Sequence, residues 1–253
     1  MPIWLENLNQ VLKDENAVIS HVLLTHWHGD HTGGVAPLLV RYPELHKSVY
    51  KNNPDSGQQP IINDQVFSVE GATVRALFTP GHATDHMCFI LQQENALFTG
   101  DNVLGHGFTV VENLGVFMNS LDKMQKRYCT KGFPAHGMII EDLPLKINVC
   151  IRRYIRREMQ VMEILKENSA KAQTPLQTRW NSANSSVKGS MTTLELVHEI
   201  YGTDISEEMS VMGLQPALNE TLQKLLEDGK VEFRLDPEKY DGTPIKHWFL
   251  LSR

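Results

Sequence analysis

Seven side chains in this sequence have the types and spacing to hold metal ions. His26, His28, Asp30 and His31 fall within the single run Thr25-His26-Trp27-His28-Gly29-Asp30-His31. Three more follow at intervals: His82 in Thr79-Pro80-Gly81-His82, Asp101 in Phe98-Thr99-Gly100-Asp101, and His136 in Pro134-Ala135-His136-Gly137. Neutral imidazole and carboxylate are the donors zinc takes where thiolate is absent. Alternate residues of an extended chain point the same way, so His26 and His28 can share one ion. Asp30 and His31 come after the chain turns and can address a second. An aspartate can serve two ions at once, one through each oxygen. A lone histidine carries little weight, but a His-x-His-x-Asp-His run joined by three later donors makes a ligand set for two ions.

These donors need elements that end at one place. Residues 18–25 are β-branched and apolar on both faces, the pattern of a buried strand whose end delivers the histidine run. Residues 66–69 and 73–78 read as a hairpin turning at Glu70-Gly71-Ala72. Residues 87–91 and 96–99 read as another, turning at Gln93-Glu94-Asn95. Each later donor follows a β-like segment and lies beside Gly or Pro, where the backbone turns sharply. Helices are predicted over 4–14, where Trp4, Leu5, Leu8, Val11 and Leu12 recur at helical spacing, and over 35–40. Another is predicted over 114–128, on the stripe Leu114, Phe117, Met118, Leu121 and Met124. A long helix is predicted over 144–168. Arg152, Arg153, Arg156 and Arg157 on it read either as a solvated basic face or as contact with an anionic partner.

Residues 169–190, rich in Ser, Asn, Gln and Thr, read as a linker or long loop. Beyond them Thr192 or Thr193 can cap a helix through Tyr201, with Glu195 as capping-box partner. A helix over 215–228 stops at Gly229. Two strands, 230–235 and 246–251, flank the turn-forming Asp241-Gly242. The expected organisation is a catalytic domain over 1–168, a linker over 169–190 and a winged-helix-like module over 191–253.

Composition narrows the classes. With 253 residues, 41% hydrophobic and 21% charged, the chain can bury a core. Its 24 Lys and Arg against 30 Asp and Glu give a net charge of −6, which argues against a globally basic nucleic-acid binder. No apolar run approaches a membrane span, so no membrane partner is expected. The N-terminus lacks a signal-peptide layout. Cys88, Cys129 and Cys150 are odd in number and scattered, which suits a reducing compartment, intracellular and cytoplasmic.

The run Thr25–His31 with Gly33-Gly34 after it, together with Thr79-Pro80-Gly81-His82, Thr99-Gly100-Asp101 and Ala135-His136-Gly137, resembles the metallo-β-lactamase superfamily. Within it the chain is similar to two groups that share the continuation Thr99-Gly100-Asp101-Asn102-Val103-Leu104-Gly105-His106-Gly107. One is the fungal lactamase-like thioesterases of polyketide pathways; the other is the β-lactamase-like endoribonucleases. The resemblance implies an α+β fold, the αββα sandwich, with the family's opening strands missing from this chain. It implies two zinc ions: His26, His28 and His82 on the first, Asp30, His31 and His136 on the second, Asp101 bridging both, and Asp30 as the catalytic carboxylate. His86 and His106 are then read as substrate-side residues, with a supporting role behind the ligands also open for His86. His21, His46, His198 and His247 match no ligand position.

The function the resemblance implies is hydrolysis of a thioester, releasing a polyketide acyl chain from an acyl carrier protein. Lys47, Lys51, the four arginines and Lys188 are the cations an acidic carrier could meet. Single-stranded RNA is the alternative substrate, and a small-thiol thioester is also open. A non-catalytic partner protein is a further alternative, disfavoured because seven costly polar groups have no other reason to converge. The surface that the absent strands would cover makes a homo-oligomer possible.

Overall fold

The structure, a computed structural model, describes residues 2–172, 189–236 and 244–251. The chain divides into two units, Met1–Asn148 and Val149–Arg253.

The first unit opens with α1 (Ile3–Asp14), followed by β1 (Val22–Leu23), α2 (Gly29–Thr32), α3 (Val35–Arg41) and a 3-10 turn at Pro43–Lys47. β2 (Val49–Lys51) and β3 (Gln59–Pro60) complete a three-stranded parallel sheet with β1. Leu5 of α1, Leu38 of α3 and Leu45 of the 3-10 turn bury together on one side of this sheet, with Leu8 and Val22 packed against them.

A second sheet has the order β4 (Val66–Val69), β5 (Ala72–Phe78), β6 (Met87–Leu91), β7 (Ala96–Gly100), β8 (Lys131–Pro134). Its first three pairings are antiparallel and the last, β7 with β8, is parallel. Phe67, Ala76, Met87 and Phe89 pack with Leu23 and Tyr50 of the small sheet, so the two sheets share a core. Ala76 and Leu77 are adjacent on β5, as are Met87 and Cys88 on β6, and all four are fully buried. Neighbours on a strand face opposite ways, so both faces of the large sheet are covered. On its far side runs α4 (Leu114–Gln125), with Phe117, Leu121 and Met124 buried at the spacing the sequence predicts. This order of helix, sheet, sheet, helix is the α+β layering expected.

The expected strand over 18–25 shrinks to two residues. Val18 is 89% exposed, and only Leu24 of that segment's aliphatic side chains is buried. A β-branched run registers as strand in a sequence, but here β2 supplies ladder hydrogen bonds over only a few residues.

The helix α5 (Leu143–Ala172) is longer than predicted, and the boundary between the units falls inside it rather than after residue 168. The reason is packing: Val161 and Leu165 belong to the second unit's core, with Leu196, Leu218, Leu222, Leu225, Val231 and Trp248. Arg157 is buried and its guanidinium donates to the Ala217 carbonyl at 3.4 Å, while Arg152 and Arg156 are exposed. The four arginines are therefore not one solvated face. Residues 173–188, most of the expected linker, lie outside the described residues, as does the Asp241-Gly242 turn.

The second unit continues with α6 (Thr193–Tyr201), capped as predicted. The Thr192 hydroxyl accepts from the Glu195 N–H at 3.2 Å, and the Glu195 carboxylate accepts from the Thr192 N–H at 2.7 Å. A short α7 (Glu207–Met209) runs through a π turn at Ser210–Leu214 into α8 (Gln215–Glu227). β9 (Val231–Asp236) and β10 (Ile245–Leu250) form an antiparallel ribbon. Helices followed by a ribbon is the order expected of this segment.

Candidate metal centre

Topology brings the seven donors to one rim. β5 and β7 run the same way because each is antiparallel to β6, and β8 is parallel to β7. Their C-terminal ends therefore share an edge, and those ends lead to His82, Asp101 and His136. The histidine run reaches the same edge through the Thr25 carbonyl, which accepts from the Met87 N–H at 2.7 Å.

Glycines permit the turns. Gly81 has φ +131° and lies so close to α4 that a Cβ would stand 2.4 Å from the Phe117 Cα. Gly100, at φ +52°, leaves room for the His86 ring, whose Nε2 would be 2.5 Å from an added Cβ. No L side chain adopts either position without strain.

Two clusters result. His26 Nε2 and His28 Nδ1 are 2.9 Å apart, and His82 Nε2 lies 3.2 Å from the first and 3.1 Å from the second. Asp101 Oδ2 is 3.6 Å from His82 Nε2. The second cluster has Asp30 Oδ2 at 3.2 Å from both His31 Nε2 and His136 Nε2. Asp101 stands between them, with Oδ2 at 3.5 Å from His31 and Oδ1 at 3.5 Å from His136.

These distances suit a metal better than a hydrogen-bond network. A tetrahedral ion with Zn–N bonds of 2.0–2.1 Å holds its nitrogens about 3.3 Å apart. Three imidazole nitrogens that face each other cannot all be donor and acceptor in turn, and His31 Nε2 and Asp101 Oδ1 are buried with no hydrogen-bond partner. The residues fit a divalent cation in each cluster.

Electrostatics prepares the donors. Burial, with help from the His31 charge, pushes His26 down to about 3, so its ring is neutral at pH 7. Burial also lowers His82. Burial alone would raise Asp101, but the close approach of His31, with His82 and His136 beside it, outweighs burial and lowers the carboxyl to about 2. For His31 burial pulls down, and the Asp101 carboxylate overcomes it and raises the group. Asp30 is 59% exposed at its side chain, and its own backbone N–H together with nearby imidazoles outweighs desolvation and lowers it.

A strap over residues 103–113 joins the two halves. The Gly105 N–H donates to the His136 carbonyl at 2.9 Å, and the Glu112 and Asn113 N–H groups donate to the Gly81 carbonyl. His82 Nδ1 meets the Val110 carbonyl at 2.8 Å, which leaves Nε2 as the free donor toward the cluster. The same strap exposes Phe108 and Val110, and Trp27, whose ring meets that of His28, and Met138, two residues beyond His136, are exposed as well.

Two expectations change. His86 is fully buried behind the clusters, where its Nε2 accepts from the Asp101 N–H at 3.1 Å and its Nδ1 meets Thr79 Oγ1 at 3.1 Å. It faces Asp101 from within and not a substrate. Lys51 is 3% exposed and cannot meet a carrier protein. His106 is exposed on the strap, at the site's edge. Lys188 lies outside the described residues. Residue-type reasoning missed Asp85, buried between Thr84 and His86; an acidic residue beside a candidate donor was the available signal. Among the described residues, no helix is long and apolar enough to cross a membrane.

A family model described as the metallo-beta-lactamase superfamily matches residues 5–127. An atrochrysone carboxyl ACP thioesterase of Aspergillus chevalieri is 47% identical over 252 residues, which cover 100% of this chain and 75% of that protein. Lactamase-like protein nscB of Aspergillus fumigatus is 47% identical over 254 residues, 100% of this chain and 73% of its own length. Of solved structures, a metallo-beta-lactamase family protein of Thermus thermophilus shares the fold at a TM-score of 0.52 and 20% identity, over 91% of this chain and 72% of that one.

Proposed function

The chain belongs to the metallo-beta-lactamase superfamily, and from that premise we propose that it is a metal-dependent thioesterase that releases a polyketide acyl group from an acyl carrier protein. The observation that carries the hydrolase reading is the pair of donor clusters with Asp101 between them. The thioester reading rests on relatives named as atrochrysone carboxyl ACP thioesterases, 47% and 46% identical over essentially the whole of this chain.

His26, His28 and His82 would hold one ion and Asp30, His31 and His136 the other, with Asp101 shared; zinc suits these donors. When bound, such ions acidify water to near neutrality and polarise an acyl oxygen. Asp30, its carboxylate ionised and open to solvent, orients the attacking water and accepts its proton at Oδ1, the oxygen not turned toward His31 and His136. Water adds to the thioester carbonyl, the C–S bond breaks, and the products are a carboxylic acid and the carrier's thiol. His86 holds the Asp101 backbone, and the strap fixes the His82 tautomer. Trp27, Phe108, Val110 and Met138 offer exposed apolar surface near the donors, which suits an aromatic acyl chain better than a phosphodiester backbone. The exposed Lys47, Arg152 and Arg156 are the cations left to meet an acidic carrier.

The test is thiol release from an acyl-loaded carrier protein by metal-loaded enzyme and by its Asp101→Ala variant. Release that falls by about a hundred- to a thousandfold in the variant, and that a chelator abolishes, is the expected result, given the scale of loss when a transition-state contact is removed. Undiminished release by Asp101→Ala defeats the metal mechanism. Cleavage of single-stranded RNA with no thiol release replaces the substrate reading.

A further inference from the structure

Beside the metal centre lies a buried ion pair that the chemistry above does not use. Asp85 and Lys51 are each 3% exposed, and Lys51 Nζ is 3.4 Å from Asp85 Oδ2. Lys51 also reaches Asp55, at 3.4 Å, near the surface. Burying two charges strips both of water, and an apolar pair of equal volume is commonly as stable or more so. Stability is therefore a poor reason for this pair to be here.

Its second contact suggests the reason. Asp85 Oδ1 accepts a hydrogen bond from the Trp27 backbone N–H at 3.3 Å. Trp27 separates His26 from His28, whose ring nitrogens must meet 2.9 Å apart. The peptide between His26 and Trp27 is the hinge on which that meeting depends, because its rotation swings the two imidazoles relative to each other. No ladder bond holds it: β1 ends at Leu23, and the last backbone bond to β2 is from the Leu24 N–H to the Tyr50 carbonyl. The three groups come from distant parts of the sequence. Lys51 ends β2, Trp27 follows β1, and Asp85 lies on the loop that also carries His82 and His86.

We propose that Asp85 is a positioning residue that fixes the Trp27 peptide, and with it the His26–His28 pair, while Lys51 orients the Asp85 carboxylate. The inference rests on the metal-centre reading. It assigns affinity for the first metal in part to a carboxylate that touches neither metal nor substrate, as outer hydrogen bonds do at other metal sites.

Removing Asp85 alone would strand the Lys51 charge and confuse folding with positioning. Two double variants avoid this. Lys51→Met with Asp85→Asn removes both charges and keeps an amide oxygen for the Trp27 N–H. Lys51→Met with Asp85→Leu removes the charges and the acceptor together. Metal affinity is measured by chelator competition, and amide hydrogen exchange at Trp27 is followed in metal-free protein. The Asn variant is expected to bind the first metal within about threefold of wild type and to keep Trp27 protected. The Leu variant is expected to bind about 10–100-fold more weakly, with Trp27 exchange faster by a similar factor. Equal metal affinity in the two double variants, or equal Trp27 protection in metal-free protein, overturns the proposal. A wild-type chain that takes up no metal overturns the metal-centre reading instead, and the Trp27 exchange separates that result because it needs no metal.

Discussion

At the scale of single residues, the ligand run was legible because its chemistry is local: four donors within six positions need only one strand end and one turn. The later donors were legible through their Gly and Pro neighbours, which mark strand ends. Lys51 was misread, and His86 could be placed only as either substrate-side or supporting, for the same physical reason. A histidine near two ligands and a lysine near a strand look solvent-facing in a sequence, because burial is decided by what the rest of the chain lays over them. The exposure of Trp27, Phe108, Val110 and Met138 near the donors was invisible too, since it depends on what the rest of the chain leaves uncovered. Their role predicts a change in substrate binding rather than in chemistry. Replacing Phe108 and Met138 with alanine should raise KM for a large aromatic acyl thioester about tenfold, with kcat within about threefold, since losing part of two apolar contacts removes ~1.4 kcal/mol of binding. Steady-state kinetics on a long and a two-carbon acyl thioester would check this. An equal rise in KM for both acyl groups would place these side chains outside the acyl path.

At the scale of elements, helices and hairpins followed their periodicity closely: α4, α6, α8 and both hairpins lie within a few residues of the prediction. β2, β3 and β8, two to four residues each, carry too short a pattern to register. The end of α8 shows how charge adds to such an element. Lys230 and Lys224 donate to Asp228 at 2.8 and 2.9 Å and hold its carboxyl below the usual range, and Lys224 also reaches Glu158. Burial would lower Lys224, but its hydrogen bonds to Asp228 and Glu158 outweigh that and raise it. A depressed carboxyl contributes stability above its unfolded value, about 3.9, and loses it as pH falls through the folded value. A raised lysine contributes below its unfolded value, about 10.4, and loses it as pH climbs through the folded one. The contribution is therefore whole between about pH 4 and pH 10. Asp228→Asn should cost no more than about 1 kcal/mol at pH 7, because the group is partly exposed. The gap between the two proteins should close as pH drops below 4, in urea titrations followed by the second unit's Trp248 fluorescence. A gap unchanged at pH 3 would mean that Asp228 acts through packing and not through charge.

At the scale of the whole molecule, the chain keeps its metal donors and its second core apart. All seven donors fall within Met1–Asn148, whereas Leu196, Leu218, Leu222, Val231 and Trp248 build a separate core in Val149–Arg253. A ligand stabilises only what it binds in the native state, by about 4.1 kcal/mol when free metal is a thousand times Kd. Metal should therefore slow amide exchange in β5, β6 and β7 and leave α8 and the β9–β10 ribbon unchanged. Adding a chelator should reverse the first effect alone, and Asp101→Ala should abolish it. Hydrogen exchange read by mass spectrometry on peptides from residues 72–100 and 215–236 would decide this. Equal metal protection in both peptides would mean that the two cores open together as one cooperative unit. The metal would then hold the whole chain, and loss of any donor would unfold α8 as readily as the sheet that carries the donors.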